Sequence, residues 1–173
     1  VRFHQAGRWR QGPILAGMMR VLLDTNLLLL LVVGRTDERC LARHRRLRAT
    51  YLVADFRLLE TELSRARAIV TTPNILTETW DLLTQGIQEP DRSRIALMFR
   101  EMTIQMPETY IPSRDAVQHE YFLRLGLADI VSLLHMEPDI VLLSVDAELC
   151  VGAMLAGHQA VNFNHLRDTY TLN

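Results

Sequence analysis

Val21-Leu22-Leu23-Asp24-Thr25-Asn26 is the stretch whose reading decides the fold. Three apolar residues stop at an acid, an alcohol and an amide, and seven more apolar residues follow from Leu27 to Val33. A short, fully apolar run is the pattern of a central parallel strand covered on both faces. The longer run behind the polar break reads as a buried helix. Asp24 then stands just past the carboxyl end of a strand, where open α/β sheets bind ligands. A carboxylate in that place costs desolvation unless positive charge meets it.

The same pattern recurs. Val141-Leu142-Leu143-Ser144-Val145 is a second apolar, β-branched run, and it too ends in an acid, Asp146. Shorter strand candidates lie at 68–71 and 160–163, with a weak edge candidate at 106–111 where Pro107 restricts pairing. Between them run helical stripes. Thr36 is expected to cap a helix to about Arg48, Asp55 a second helix, Thr72-Pro73 a third ending near Gly86, Asp91 a fourth, and Ser113 a fifth that runs to about Leu125 and stops at Gly126. Further helices are predicted over 128–135 and from 147 to Gly157. Alternating strands and helices predict an α/β protein: a three-layer α/β/α domain with a central parallel sheet, spanning 19–173. Residues 1–18 carry arginines, glycines and only a short apolar patch, and are set aside as an extension or artefact that is expected to be disordered.

Composition removes several functions. All 19 basic residues are arginine, so Schiff-base, P-loop-lysine and receiver-lysine chemistry have no residue to use. The formal net charge of −1 provides no global attraction to nucleic acid. Cys40 and Cys150 lack metal-ligand spacing and read as core thiols of a reducing, cytoplasmic compartment. The run from Leu27 to Val33 is far short of the ~20 residues of a membrane span. No Gly-x-Gly-x-x-Gly follows a strand.

What remains is a set of four acids. Asp24 and Asp146 end strands that share one sheet edge if both strands are central and parallel. Glu78 lies in the second turn of the Thr72-Pro73 helix, flanked by Ile75 and Leu82. Asp129 opens the helix after Gly126 among Ile130, Val131 and Leu133. Each acid alone has an ordinary explanation as a helix cap or first-turn residue. Four carboxylates on strand ends and apolar helix faces need a shared counter-charge, and a divalent cation held by oxygen ligands and water meets that need.

In order, Val-Leu-Leu-Asp24-Thr-Asn, Pro-Asn-Ile-Leu-Thr-Glu78, Gly-Leu-Ala-Asp129 and Leu-Leu-Ser-Val-Asp146 resemble the motifs of the PIN-domain nucleases, which include the VapC-like ribonucleases. The resemblance covers roughly 19 to 164. It implies Asp24, Glu78, Asp129 and Asp146 as catalytic residues and ligands of one or two Mg²⁺ or Mn²⁺ ions. Asn26 and Ser144 resemble the polar positions that orient those ligands. The activity implied is cleavage of single-stranded or structured RNA, with an antitoxin protein and a homodimeric partner known among family members. The interval from Asp24 to Glu78 exceeds that of compact toxin members, and the added residues are expected to form the helices of 36–67.

Substrate contact would have to come from arginine. The cluster from Arg39 to Arg48 is the concentrated basic stretch, and Arg43, Arg45 and Arg46 are the candidate RNA contacts. It also reads as a solvated helix face. His44, His119, His135, His158 and His165 share no spacing and are read as packing or surface residues. Aromatic content of 6% is too low for an extended base-stacking platform. Two alternatives stay open: a non-catalytic PIN-like domain that binds RNA or protein, and a metal-dependent phosphatase. Against the haloacid-dehalogenase pattern, Asn26 stands where a second acid is required.

Overall fold

The computed structural model describes residues 19–171; the expectation for 1–18 lies outside them. Four parallel strands, β1 (Arg20–Leu23), β2 (Ala68–Val70), β3 (Ile140–Ser144) and β4 (Gln159–Asn162), form one sheet in the order β2-β1-β3-β4. Val21 pairs with Ile69 on one side and Val141 on the other, so β1 is central. Helices flank the sheet in a three-layer α/β/α arrangement. From β1 the chain crosses to β2, then returns past β1 to β3 and on to β4. The crossover direction therefore reverses between β1 and β3, and the crevice at their carboxyl ends is the topological switch point of the sheet.

Helix α1 (Thr25–Thr36) is the centre of the core. Every residue from Leu27 to Gly34 is buried. It meets α2 (Glu38–Leu41), α3 (Val53–Leu63), α4 (Pro73–Leu82) and α5 (Asp91–Gln105), so it needs no polar face. Gly34 is required by that crowding: a methyl group on it would lie 2.3 Å from Cδ2 of Phe56 on α3. The remaining helices are α6 (Ser113–Ala116), α7 (Phe122–Leu125), α8 (Leu127–His135), α9 (Ala147–Leu155) and α10 (Phe163–Thr171).

Several expected boundaries move. Thr36 caps nothing; it is the last residue of α1, and its hydroxyl donates to the carbonyl of Val32. Asp37 is the cap of the next helix, which stops at Leu41. The apolar stripe Leu41, His44, Leu47 is buried as expected, but turns and a short 3-10 segment, Leu47–Ala49, carry it instead of a continuous helix. His44 holds the turn: its Nε2 lies 3.1 and 3.2 Å from the carbonyls of Leu82 and Leu83, and its Nδ1 accepts from the Leu47 amide. Asp55 is not the cap of α3 but sits inside its first turn and accepts from the Leu52 amide. The helix predicted from Ser113 to Leu125 is broken into α6 and α7, and the weak strand of 106–111 contributes a single parallel bridge, Thr71 to Glu108. Helix α10 follows β4 directly and lacked a predicted stripe.

Gly34→Ala tests the packing of α1 on α3. Alanine gains about 1 kcal/mol of helix propensity over glycine, while forcing a methyl into a packed core costs about 1–3 kcal/mol. With a ring atom at 2.3 Å the steric cost wins. The expected outcome is a lower denaturation midpoint with an unchanged m value, measured by urea unfolding.

Candidate active site

A cleft of about 320 Å³ opens at the switch point, lined by Asp24, Thr25, Asn26, Arg46, Glu78, Asp81, Leu82, Asp129, Ser144 and Asp146. All four acids singled out in the sequence reach it, although they come from β1, α4, α8 and the end of β3.

Asp24 is buried and saturated with donors. Its Oδ1 accepts from the Leu27 amide at 2.8 Å, capping α1, and its Oδ2 accepts from the Ser144 hydroxyl and, at 2.9 Å, from the Val145 amide. Burial pushes its pKa up, and these three hydrogen bonds oppose the push. Ser144 also accepts from the Asp146 amide at 2.9 Å, so one hydroxyl joins the first acid to the backbone of the fourth. The Asp146 carboxylate caps α9 through Oδ1, accepting from the Glu148 and Leu149 amides. Capping and site membership thus coincide at both strand ends.

Glu78 projects from α4 and accepts from the Thr25 hydroxyl at 2.9 Å. Asp129 is held by the opening of α8. The helix begins after Gly126, whose φ of 87° and ψ of 177° belong to a region essentially reserved for glycine. Among the described residues none donates a hydrogen bond to the Asp129 carboxylate. Its pKa is pushed up to about 7, first by burial and then by the charges of Asp146, Asp24 and Glu78. Burial is the larger cause, and the repulsion of the three neighbouring acids adds to it.

The oxygen-only donor set suits a hard divalent cation. Among the described residues no three acidic, histidine or cysteine side chains converge tightly enough to hold a metal between them directly. A cation in this cleft would therefore keep part of its water shell, which Mg²⁺ does readily. Among the described residues the Asp129 and Asp81 carboxylates, Oδ2 of Asp146 and Oε1 of Glu78 accept no hydrogen bond, while Asp24 is already committed to three.

The three candidate arginines separate. Arg46 lines the cleft, and its Nε and Nη2 donate to Oδ1 of Asn26 at 3.0 and 2.9 Å. Arg43 turns away to an ion pair with Asp91 at 2.6 Å. Arg45 is exposed outside the cleft, its amide bonded to the Gln85 carbonyl. Three lining residues were not anticipated as part of the site, the apolar Leu82 and two polar ones. Asp81 lies one turn beyond Glu78 on α4, a spacing that could have been read; Thr25 follows Asp24 directly and supports Glu78. Compared with models of known families, with curated proteins and with solved structures, the chain matches none.

The raised pKa of Asp129 makes the stability of the fold depend on pH. Below about pH 4 this group is protonated both folded and unfolded, so it costs nothing. Between about pH 4 and the folded value of about 7 the unfolded chain ionises while the fold retains its proton, so stability falls as pH rises. Above that window the penalty is complete. Asp129→Asn removes it. In metal-free buffer at pH 8 the variant should melt above the parent by about 2–4 °C, equivalent to about 1 kcal/mol after solvent screening. The difference should vanish near pH 4. Thermal melts at the two pH values read it.

Proposed function

We propose that the chain is a Mg²⁺- or Mn²⁺-dependent ribonuclease of the PIN-like type that hydrolyses phosphodiester bonds in RNA. The observation that carries this reading is the meeting of Asp24, Glu78, Asp129 and Asp146 in one cleft at the carboxyl edge of a parallel sheet. Four carboxylates alone repel a phosphodiester. A divalent cation bound among them reverses the local charge and acidifies a water at neutral pH.

The chain's own residues have separable tasks. Asp129 and Asp146 offer carboxylate oxygens to the cation, directly or through its water shell. Asp24 holds the site together, because its oxygens tie α1 to the end of β3 through Leu27, Ser144 and Val145. Glu78, steadied by Thr25, faces the same space and can accept the proton of the attacking water. Hydrolysis would form the bond from that water oxygen to phosphorus and break the bond from phosphorus to the sugar oxygen, which leaves as an alcohol by taking a proton from solvent.

The test is cleavage of an end-labelled, unstructured oligoribonucleotide by the purified chain with Mn²⁺, with chelator, and beside a small phosphomonoester. Expected are RNA cleavage, its loss with chelator, and no turnover of the monoester; monoester turnover without RNA cleavage would favour a phosphatase. Asp129→Asn should lower cleavage by at least about 100-fold while the fold persists. Asp24→Asn is a poorer test of chemistry, since its amide N–H₂ would face a backbone donor at one of two positions. Undiminished cleavage by Asp129→Asn would remove the assignment of the acids.

A further inference from the structure

The geometry points to Arg46 as the residue that receives the phosphate of the nucleic-acid strand at this cleft, with Asn26 acting as the positioning residue that holds its guanidinium ready; this rests on the ribonuclease reading. Arg46 is the one guanidinium among the described residues lining the acidic cleft. Its neighbours Arg39 and Arg43 are neutralised by Asp37 and Asp91. Arg46 is treated differently. Although carboxylates line the same cleft, its Nε and Nη2 converge on the neutral amide oxygen of Asn26. An amide orients the planar fork without cancelling its charge, and the remaining N–H groups are left to donate.

The backbone beneath it is fixed. The buried His44, two residues earlier, is anchored to the carbonyls of Leu82 and Leu83 at the end of α4, and the Arg45 amide is bonded to Gln85. The turn that carries Arg46 is thus pinned to the end of the helix that carries Glu78, while Asn26 rises from the first turn of α1, two residues past Asp24. A phosphodiester entering the cleft offers two non-bridging oxygens, and a guanidinium fork donates to such a pair with parallel hydrogen bonds. Asn26 has a second effect: it keeps the cation of Arg46 from collapsing onto the acids, where it would compete with a metal for them.

The experiment uses the full chain and a fluorescein-labelled dodecauridylate. Cleavage is followed with Mn²⁺, and binding by anisotropy with Ca²⁺ in place of Mn²⁺, each over a range of salt. Arg46→Gln should raise Kd and KM about tenfold with kcat within about threefold of the parent, and should flatten the salt dependence by about 0.7 in slope, the loss of one phosphate contact on a single strand. Arg46→Lys should restore the slope but not the full affinity, since a point charge lacks the fork. Asn26→Leu should weaken binding like Arg46→Gln, and the double variant should be no weaker than either. An Arg46→Gln variant with the parent's Kd, KM and salt slope, in a preparation whose parent cleaves, overturns the role of Arg46 alone. Additive losses in the double variant overturn the action of Asn26 through Arg46. A parent that does not cleave RNA overturns the ribonuclease reading and this assignment with it. Arg46 is exposed, so its variants should keep the parent's melting temperature.

Discussion

The Asp24 carboxylate joins three parts of the chain that are separate until the fold is complete. One oxygen closes the first turn of the most buried helix; the other takes the hydroxyl and the amide that follow β3. A buried charge of this kind survives only with such a full set of donors. Since α1 is buried along its length and β1 is central, the orientation of the core helix and the register of two central strands meet at this group. The remaining acids are placed around it. Glu78 is reached through Thr25, the residue after Asp24, and Asp146 through Ser144, which also bonds to Asp24.

The acids differ in how far their oxygens are already bonded. Asp24 has donors on both oxygens and little left to give. Asp129 has none and carries the strongest record of its neighbours' charge. Burial raises the pKa of both acids, but at Asp24 three hydrogen bonds oppose it and at Asp129 the charges of the neighbouring acids add to it. Site formation costs stability at Asp129, and Gly126 admits the backbone turn that presents it.

Much of the site was legible in the sequence because it follows from strand endings. Leu23-Asp24 and Val145-Asp146 mark where apolar runs stop, and a parallel sheet puts such stops on one edge. Glu78 was found from its place on an apolar stripe, and Asp129 from its place at a helix start. The fold class followed from the same alternation. The segment between Thr36 and Tyr51 was less legible. Its apolar residues repeat at helical spacing, but they are satisfied by a turn pinned through His44, and a ring accepting and donating to backbone leaves no trace in hydropathy. The arginines of that segment looked equivalent for the same reason. Which of them faces the acids depends on where Asp91, Asp37 and Asn26 lie in space, and only Arg46 is turned toward the cleft. Helix α10 went unseen because Phe163, which opens it, reads as the end of the last strand, although Phe163 is buried and Leu166, one turn on, packs against the core.

The reversal of crossover direction at β1 also bears on how the chain matures. β1 is made before its partner β3, and the hydroxyl that meets Asp24 lies 120 residues further along. Closing so long a loop carries an entropic cost that local contacts cannot repay, and pairings of this range form slowly. No nascent chain that ends before Ser144 can assemble the cleft, however well α1 to α5 have formed. Competence at this edge of the sheet therefore arrives as a single late event, and a chain stalled or cleaved ahead of β3 holds the first three acids without the strand that brings them together.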